Sequence, residues 1–178
     1  MKKILALLLV TPLIFISCEG DQGPPGPPGE DGLDGGQGRI YEVSVDQFEY
    51  IEGDNIYSAI FDFSDVFSES HNVFVYHLLV IEDDQGNPVD SWDLLPYSVF
   101  TDQGTFQYSF NHTSFDLEIL INGDYDLSNI STAYTQDQIF RVVVTNNTIE
   151  EVANINNMEE VMKTLKINNI EQLNIRKN

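Results

Sequence analysis

Short runs in which apolar and polar residues alternate fill most of the chain beyond its N-terminal segment. Residues 41–45 and 56–63 place apolar side chains at every second position, which is typical of half-buried strands. Residues 73–81 are apolar on both faces and predict a central strand. Residues 92–100 continue as an extended segment, which Pro96 interrupts.

The clearest pair of strands forms a predicted hairpin. Aromatic and polar residues alternate over 105–112, and residues 115–121 alternate in the same way after a short turn. The apolar face includes Phe110, Phe115 and Ile119, whereas Asp116 lies on the face exposed to water. Residues 139–145 are rich in valine and predict the last strand.

The spacing of these runs predicts the fold class. Seven or eight short strands follow one another with turns between them, and no long helical pattern separates them. This order predicts a mainly β fold, a two-layer antiparallel β-sandwich, and argues against a parallel α/β fold. The sandwich domain is predicted to cover residues 40–178.

The period of the apolar residues changes near the C-terminus. The residues at helical spacing are Ile155, Met158, Val161, Met162 and Leu165. They predict a short helix near 157–166, with Asn156 as its N-cap and Glu159 as the third residue after the cap. Residues 167–175 are predicted to form a tail that packs beside this helix.

The N-terminus has the composition of a signal peptide. Lys2 and Lys3 precede an apolar run that ends at Cys18, and polar residues follow at once from Glu19. The run is too short for a stable membrane-spanning helix, which needs about 20 apolar residues. Residues 1–17 are therefore predicted to be a leader. Cys18 is the only cysteine, which excludes an intramolecular disulfide and a CxxC redox pair.

The end of the leader resembles the lipobox of bacterial lipoproteins. Ser17 and Cys18 match its small residue and cysteine, while Phe15 and Ile16 depart from its usual residues. The resemblance implies cleavage before Cys18 and acylation, including palmitate-type chains, which would anchor the mature chain stably in a membrane. Glu19 and the acids behind it resemble lipoproteins sent to the outer membrane and exposed on the cell surface. The alternative is an ordinary secretory leader with an incidental cysteine.

Glycine occupies every third position in the segment that follows. The in-phase glycines are Gly20, Gly23, Gly26, Gly29, Gly32, Gly35 and Gly38. This is a collagen-like Gly-X-Y run, and it predicts an extended stalk over residues 18–39, of which about six triplets reach on the order of 55 Å at roughly 3 Å per residue. Two interpretations remain open: a semi-rigid spacer, which the acidic triplets favour, and a homotrimer formed through the Gly-X-Y run.

Together, these segments resemble a group of collagen-like lipoproteins of Bacteroidota-type bacteria. The likeness is carried by residues 23–32, by the Ala-Tyr-Thr-Gln-Asp-Gln-Ile-Phe-Arg-Val-Val-Val segment at 133–144, and by the ending over 161–173. It implies a lipid anchor, a short stalk and a β-rich domain in the cell envelope. It assigns no activity and no functional residues.

Charge and motifs narrow the classes of function. Eight Lys and Arg residues against 29 Asp and Glu give a net charge of −21, which opposes binding to nucleic acid and to anionic lipid. The histidines are His71, His77 and His112, and they show no zinc-binding spacing. No nucleophile elbow or dinucleotide fingerprint occurs. We therefore expect a protein that is not an enzyme and has no cofactor.

Two acidic segments are weak candidates for calcium. Asp83 and Asp84 lie within 82–87, and Asp124 and Asp126 lie within 122–126. Calcium prefers six to eight oxygen ligands, but neither segment fits an EF-hand loop. Glycine beside Asn or Asp is also the ordinary composition of turns, which is the favoured interpretation.

Three other side chains have both a structural and a ligand-binding interpretation. Arg141 could bind a ligand carboxylate or, as favoured, pair with carboxylates along its strand. Trp92 and Tyr97 could stack on a sugar or, as favoured, belong to the core or its rim.

The sequence supports one leading hypothesis for function. It is a membrane-anchored surface lipoprotein that displays an acidic β-domain on a collagen-like spacer, for interaction or adhesion. The alternative is a glycan- or calcium-binding module of the cell envelope. The sequence does not identify the protein or glycan partner.

Overall fold

The computed structural model describes residues 38–68, 70–146, 154–167 and 169–176. The predicted leader, Cys18 and all of the Gly-X-Y run except Gly38 lie outside the described residues. The described part contains ten strands and one α-helix. The strands are β1 (Arg39–Gln47), β2 (Glu49–Ile51), β3 (Ile56–Asp62), β4 (Asn72–Glu82), β5 (Pro88–Leu94), β6 (Tyr97–Phe100), β7 (Thr105–His112), β8 (Asp116–Gly123), β9 (Gln136–Thr145) and β10 (Ile170–Leu173). The helix is α1 (Met158–Thr164), and a 3-10 turn covers Thr132–Tyr134.

The strands form two five-stranded sheets that pack face to face. One sheet has the order β10-β1-β9-β4-β5 and the other the order β2-β3-β8-β7-β6. Neighbouring strands are antiparallel except for β1 and β10, which are parallel. The predicted mainly β, two-layer sandwich with one short helix is confirmed, and its first strand begins at Arg39, one residue before the expected boundary.

The main core lies between the two sheets and follows the predicted alternation. Its fully buried members include Val43, Phe61, Phe106, Leu117, Ile119, Ile121, Phe140 and Val142. The β7–β8 hairpin is confirmed, with Phe110 opposite Ile119. Phe115 was expected on the apolar face but is 61% exposed. It lies in the turn before β8, where the Thr113 amide donates to the Asp116 carbonyl. Its side chain therefore does not follow the alternation of buried and exposed residues along the strand.

The segment predicted as one extended stretch over 92–100 is divided between the two sheets. Strand β5 begins at Pro88 and pairs with β4, whereas β6 pairs with β7 in the opposite sheet. The chain crosses from one layer to the other at Leu95 and Pro96, which are joined by a cis peptide bond. Pro96 thus marks a change of sheet rather than an interruption within one strand.

Helix α1 covers the outer face of the first sheet. Met158, Val161 and Leu165 pack in a second buried cluster with residues of β1, β4 and β9, among them Ile40 and Tyr76. The predicted helix is confirmed, but its N-cap is Asn157 and not Asn156. The Asn157 side chain accepts a hydrogen bond from the amide of Glu160, so the cap lies one residue later than expected.

The capping geometry predicts different effects for two adjacent asparagines. Asn157→Ala should lower the free energy of unfolding by about 1 kcal/mol, because the Glu160 amide loses its acceptor. Asn156→Ala is the matched control and should change it by less than about 0.5 kcal/mol. Urea unfolding followed by circular dichroism measures both. A larger loss for Asn156→Ala would contradict the observed cap.

The C-terminal tail was expected to pack beside the helix, and Ile167 and Ile170 do pack in the cluster that contains Met158 and Val161. The strand was not expected: residues 170–173 form β10, which pairs with β1 from Ile40 to Val43. Without β10, the backbone N–H and C=O groups at this edge of β1 would be unpaired, and the tail forms hydrogen bonds with them. Beyond β10 the chain reaches the second sheet: Ile175 pairs with Phe61, and the Arg176 amide donates to the Ile60 carbonyl at 2.7 Å. The tail therefore joins the two layers.

Candidate ligand-binding pocket

A half-open pocket lies at the end of the sandwich where β1 begins. Its volume is about 410 Å³. We call it the aromatic pocket, and its lining residues are Phe63, Phe67, Ser68, His71, Val73, His112, Thr113, Ser114 and Phe115. The lining is predominantly apolar, with two imidazole rings and three hydroxyl-bearing side chains, and such concave, mainly apolar sites are typical of small-molecule binding.

Two connecting segments build the pocket and are held together by their backbones. The Phe63 amide donates to the Phe115 carbonyl at 2.8 Å, and the Phe67 amide donates to the Ser114 carbonyl at 2.9 Å. These bonds tie the β3–β4 connection to the β7–β8 turn. The rings of Phe63 and Phe67 pack edge to face with centroids 5.0 Å apart. This is a favourable arrangement for aromatic pairs and fixes one wall of the pocket.

Two histidines contribute polar atoms to this apolar lining. Nδ1 of His71 lies 3.0 Å from the Ser68 carbonyl oxygen. A carbonyl can only accept, so Nδ1 carries the proton, and Nε2 of the neutral ring is an acceptor. The His112 ring stacks on Phe110 with centroids 6.4 Å apart. The sequence suggested only surface or structural roles for these two residues, and the pocket brings them together.

Three described carboxylates that adjoin the aromatic pocket in sequence are paired with arginines. Asp65 forms an ion pair with Arg39, whose guanidinium also lies 5.9 Å from the centre of the Phe67 ring. Arg176 bonds both Asp62 and Asp116. Arg176 lowers the pKa of Asp62, and Thr113 and then Arg176 lower the pKa of Asp116. Two arginines therefore partly offset these three described carboxylates.

Comparisons with known proteins do not add to this geometry. No family model, curated protein or solved structure matches the chain. Within the ranges that the structure describes, no helix is both long and apolar enough to cross a membrane. The interpretation of the site depends on its geometry and chemistry alone.

The third histidine lies away from the aromatic pocket, inside the sandwich. His77 is 1% exposed, and its ring stacks on Phe140 with centroids 4.3 Å apart. Nδ1 lies 2.8 Å from the Tyr97 hydroxyl, and Nε2 lies 2.9 Å from Oε1 of Gln138. Burial lowers the pKa of His77 to about 4, so the ring is neutral at pH 7. Its role is to fill and hydrogen-bond the core.

The weak calcium candidates lie in turns. Oδ1 of Asp83 accepts from the amides of Gln85 and Asn87, both at 2.8 Å. The hydrogen bond from the Asn87 side chain, and then these two amide bonds, lower the pKa of Asp83. Asp84 belongs to the same turn. Asp124 accepts from the Thr105 amide at 2.7 Å, and Asp126 from the Ser128 amide at 2.9 Å, each through Oδ1. In the described ranges, no three His, Cys, Asp or Glu side chains form a group able to hold a metal.

Arg141 pairs along the sheet, as the favoured interpretation expected. Its Nε donates to Oε2 of Glu42 at 3.1 Å, across the β1–β9 pair. Its guanidinium carbon lies 4.2 Å from the centre of the Trp92 ring, a cation–π contact, and one of its nitrogens lies 3.9 Å from the Met158 sulfur. Trp92 and Arg141 therefore help to seat helix α1, and Tyr97 packs on His77 inside the sandwich.

Proposed function

We propose that the protein is a non-enzymatic, membrane-anchored lipoprotein of the cell envelope, at the outer membrane and exposed at the cell surface. Acyl chains on Cys18 anchor it, and the Gly-X-Y run acts as a spacer that holds the β-domain away from the membrane. On this proposal, the protein belongs to the collagen-like lipoproteins of Bacteroidota-type bacteria. Its β-domain serves interaction or adhesion. The observation that carries it is the single cysteine at the boundary between the apolar leader and a polar, glycine-periodic segment.

The charge of the chain supports a lipid anchor rather than electrostatic attachment. A net charge of −21 repels an anionic membrane surface, so a stable attachment needs buried acyl chains. Helix α1 and β10 cover the outer face and one edge of the first sheet, which supports a self-contained domain at the end of the spacer.

Removing the cysteine tests the proposal directly. The Cys18→Ala protein should be absent from the carbonate-washed membrane fraction, where the wild-type protein remains, because each buried CH₂ contributes about 0.8 kcal/mol to anchoring. Metabolic labelling with a fatty acid should also be lost. Ser17→Ala is the matched control, since it keeps a small residue before the cysteine and should retain the anchor. A Cys18→Ala protein that stays in washed membranes would show that the anchor lies elsewhere.

A concavity separate from the aromatic pocket favours a second candidate, a ligand-binding module of the envelope. Glycan and calcium are the ligands that the sequence suggested. This concavity of about 670 Å³ beside Asp124 and Asp126 also contains Tyr50, Glu52 and Tyr125, side chains of the kinds that bind cations and sugars. A shift in melting temperature with calcium or with neutral oligosaccharides would favour this module over a purely structural display protein.

A further inference from the structure

The aromatic pocket has a composition that selects one class of ligand. We propose that it binds a small neutral molecule with an apolar ring or short chain and one hydroxyl group, such as an alkylphenol. This inference goes beyond the proposed display function and does not depend on how the protein is anchored. It follows from the charge around the pocket, its apolar walls and the tautomer of His71.

The charge distribution favours a neutral ligand over an anion. The chain carries a net charge of −21, so an anion is repelled as it approaches. Among the described residues, Asp65 pairs with Arg39, and Asp62 and Asp116 share Arg176, so a cation would compete with an arginine for each of these three carboxylates. A neutral ligand avoids the repulsion and needs no free counter-charge.

The apolar walls supply most of the contact area. The volume of about 410 Å³ lies within the usual range for small-molecule sites, about 300–1,000 Å³. Phe63 and Phe67 form a fixed edge-to-face wall, and Phe115 stands at the mouth with 61% of its surface exposed. A ring in the pocket would cover the exposed face of Phe115, and burial of that apolar surface favours binding.

His71 supplies the polar selectivity. Its Nδ1–H donates to the Ser68 carbonyl oxygen, which lies 3.0 Å from Nδ1. In the neutral ring, Nε2 therefore accepts hydrogen bonds and does not donate them. A ligand hydroxyl can donate to that nitrogen. A carboxylate cannot, and a hydrocarbon would leave the nitrogen without a partner once water is displaced.

Three para-substituted or unsubstituted ethylbenzene compounds of similar size, each kept below its solubility limit, test the ligand class on the full-length protein at pH 8. They are 4-ethylphenol, ethylbenzene and 4-ethylbenzoate, and binding is followed by ligand-observed NMR. We expect 4-ethylphenol to bind about tenfold more tightly than ethylbenzene, which corresponds to about 1.4 kcal/mol. We expect 4-ethylbenzoate to bind most weakly. Equal binding of the first two compounds, or tightest binding of the benzoate, would overturn the proposal.

Variants then place the binding in the pocket. Phe115→Ala should weaken binding of both 4-ethylphenol and ethylbenzene by about threefold or more, since an exposed contact is removed without disturbing the core. Phe100→Ala is the matched control, because Phe100 is 82% exposed and lies outside the pocket lining, and it should leave both affinities unchanged. Equal effects of these two substitutions would overturn the assignment to this pocket.

His71→Phe tests the polar contact separately. It keeps an aromatic ring at the site but removes Nε2, so the two neutral compounds should bind equally well. Retained preference for 4-ethylphenol would overturn the role of His71. All of these comparisons are made between full-length variants recovered from the same cell fraction. They therefore remain informative if Cys18 is not lipidated, and failure of the anchor is distinguishable from failure of the pocket.

Discussion

Replacing Phe140 with alanine should lower the free energy of unfolding by about 3–5 kcal/mol. Phe140 is fully buried in β9, where it stacks on His77 at 4.3 Å and packs edge to face with Phe48 at 6.2 Å between centroids. It also lies opposite Val43 on β1 and His77 on β4. Strand β9 lies between β1 and β4, so the paired backbones cannot close the cavity that Phe140→Ala leaves. The free energy of unfolding should therefore fall by the full contribution of the lost contacts.

The matched control uses the most exposed phenylalanine of the same sandwich. Phe100→Ala should change the free energy of unfolding by less than about 0.5 kcal/mol, because Phe100 is 82% exposed at the end of β6. Urea titration of the two variants and the wild-type protein, followed by near- and far-ultraviolet circular dichroism, measures the difference. Similar losses for both variants would mean that Phe140 does not lie in the core described above.

Alternation along the chain was sufficient to predict most of the strands, because the face buried between two sheets imposes a strict period of two. Residues 105–112 and 115–121 show this clearly, and the observed pairing of Phe110 with Ile119 follows from it. The same rule failed at Phe115. The hydrogen bond from the Thr113 amide to the Asp116 carbonyl closes a turn, so the strand begins one residue later than expected. Phe115 lies in that turn, where the alternation of buried and exposed side chains does not apply.

The C-terminal strand could not be predicted from its own pattern. Residues 170–173 are a short segment in which only Leu173 is buried, and their extended form depends on the free edge of β1, more than a hundred residues away. The helix boundary was missed by one residue for a related reason. Asn156 and Asn157 are both good caps by composition, and the packing of Met158 and Val161 decides which of them begins the helix.

The aromatic pocket also could not be predicted from sequence patterns. His71 and His112 lie in different halves of the chain, and neither belongs to a motif. They come together because the Phe63 and Phe67 amides bond to the β7–β8 turn, which is a long-range contact without a local signal. By contrast, Arg141 could be interpreted correctly, since an isolated cation on a strand among many carboxylates usually finds a partner on the neighbouring strand.

Lowering the pH should destabilise the wild-type protein more than a variant without His77. The folded protein holds His77 neutral: Gln138 donates from its side-chain nitrogen to the Ala133 carbonyl, so its Oε1 faces Nε2 of His77 and accepts from it. The Tyr97 hydroxyl then donates to Nδ1. Every polar atom of the buried ring is satisfied in the neutral state, and a second proton would displace one of these bonds.

The sign of the effect follows from the two pKa values of this side chain. The pKa is about 4 in the folded protein, because burial opposes the charge, and 6.5 in the unfolded chain. Between these values the unfolded chain binds more protons, so the contribution of His77 is fully present above pH 6.5 and is lost as the pH falls towards 4. From pH 8 to pH 5 the free energy of unfolding should fall by about 2 kcal/mol through this group alone.

His77→Phe isolates that contribution from the carboxylates. The variant keeps a ring stacked on Phe140 but leaves the Tyr97 hydroxyl and Gln138 Oε1 without this partner, which lowers stability by a similar amount at every pH. The acids with lowered pKa values remain in both proteins, so their titration cancels in the difference. Urea unfolding at intervals from pH 8 to pH 5 should show the gap between wild type and variant narrowing by about 2 kcal/mol. Parallel profiles would show that His77 does not titrate between the folded and unfolded states as its burial requires.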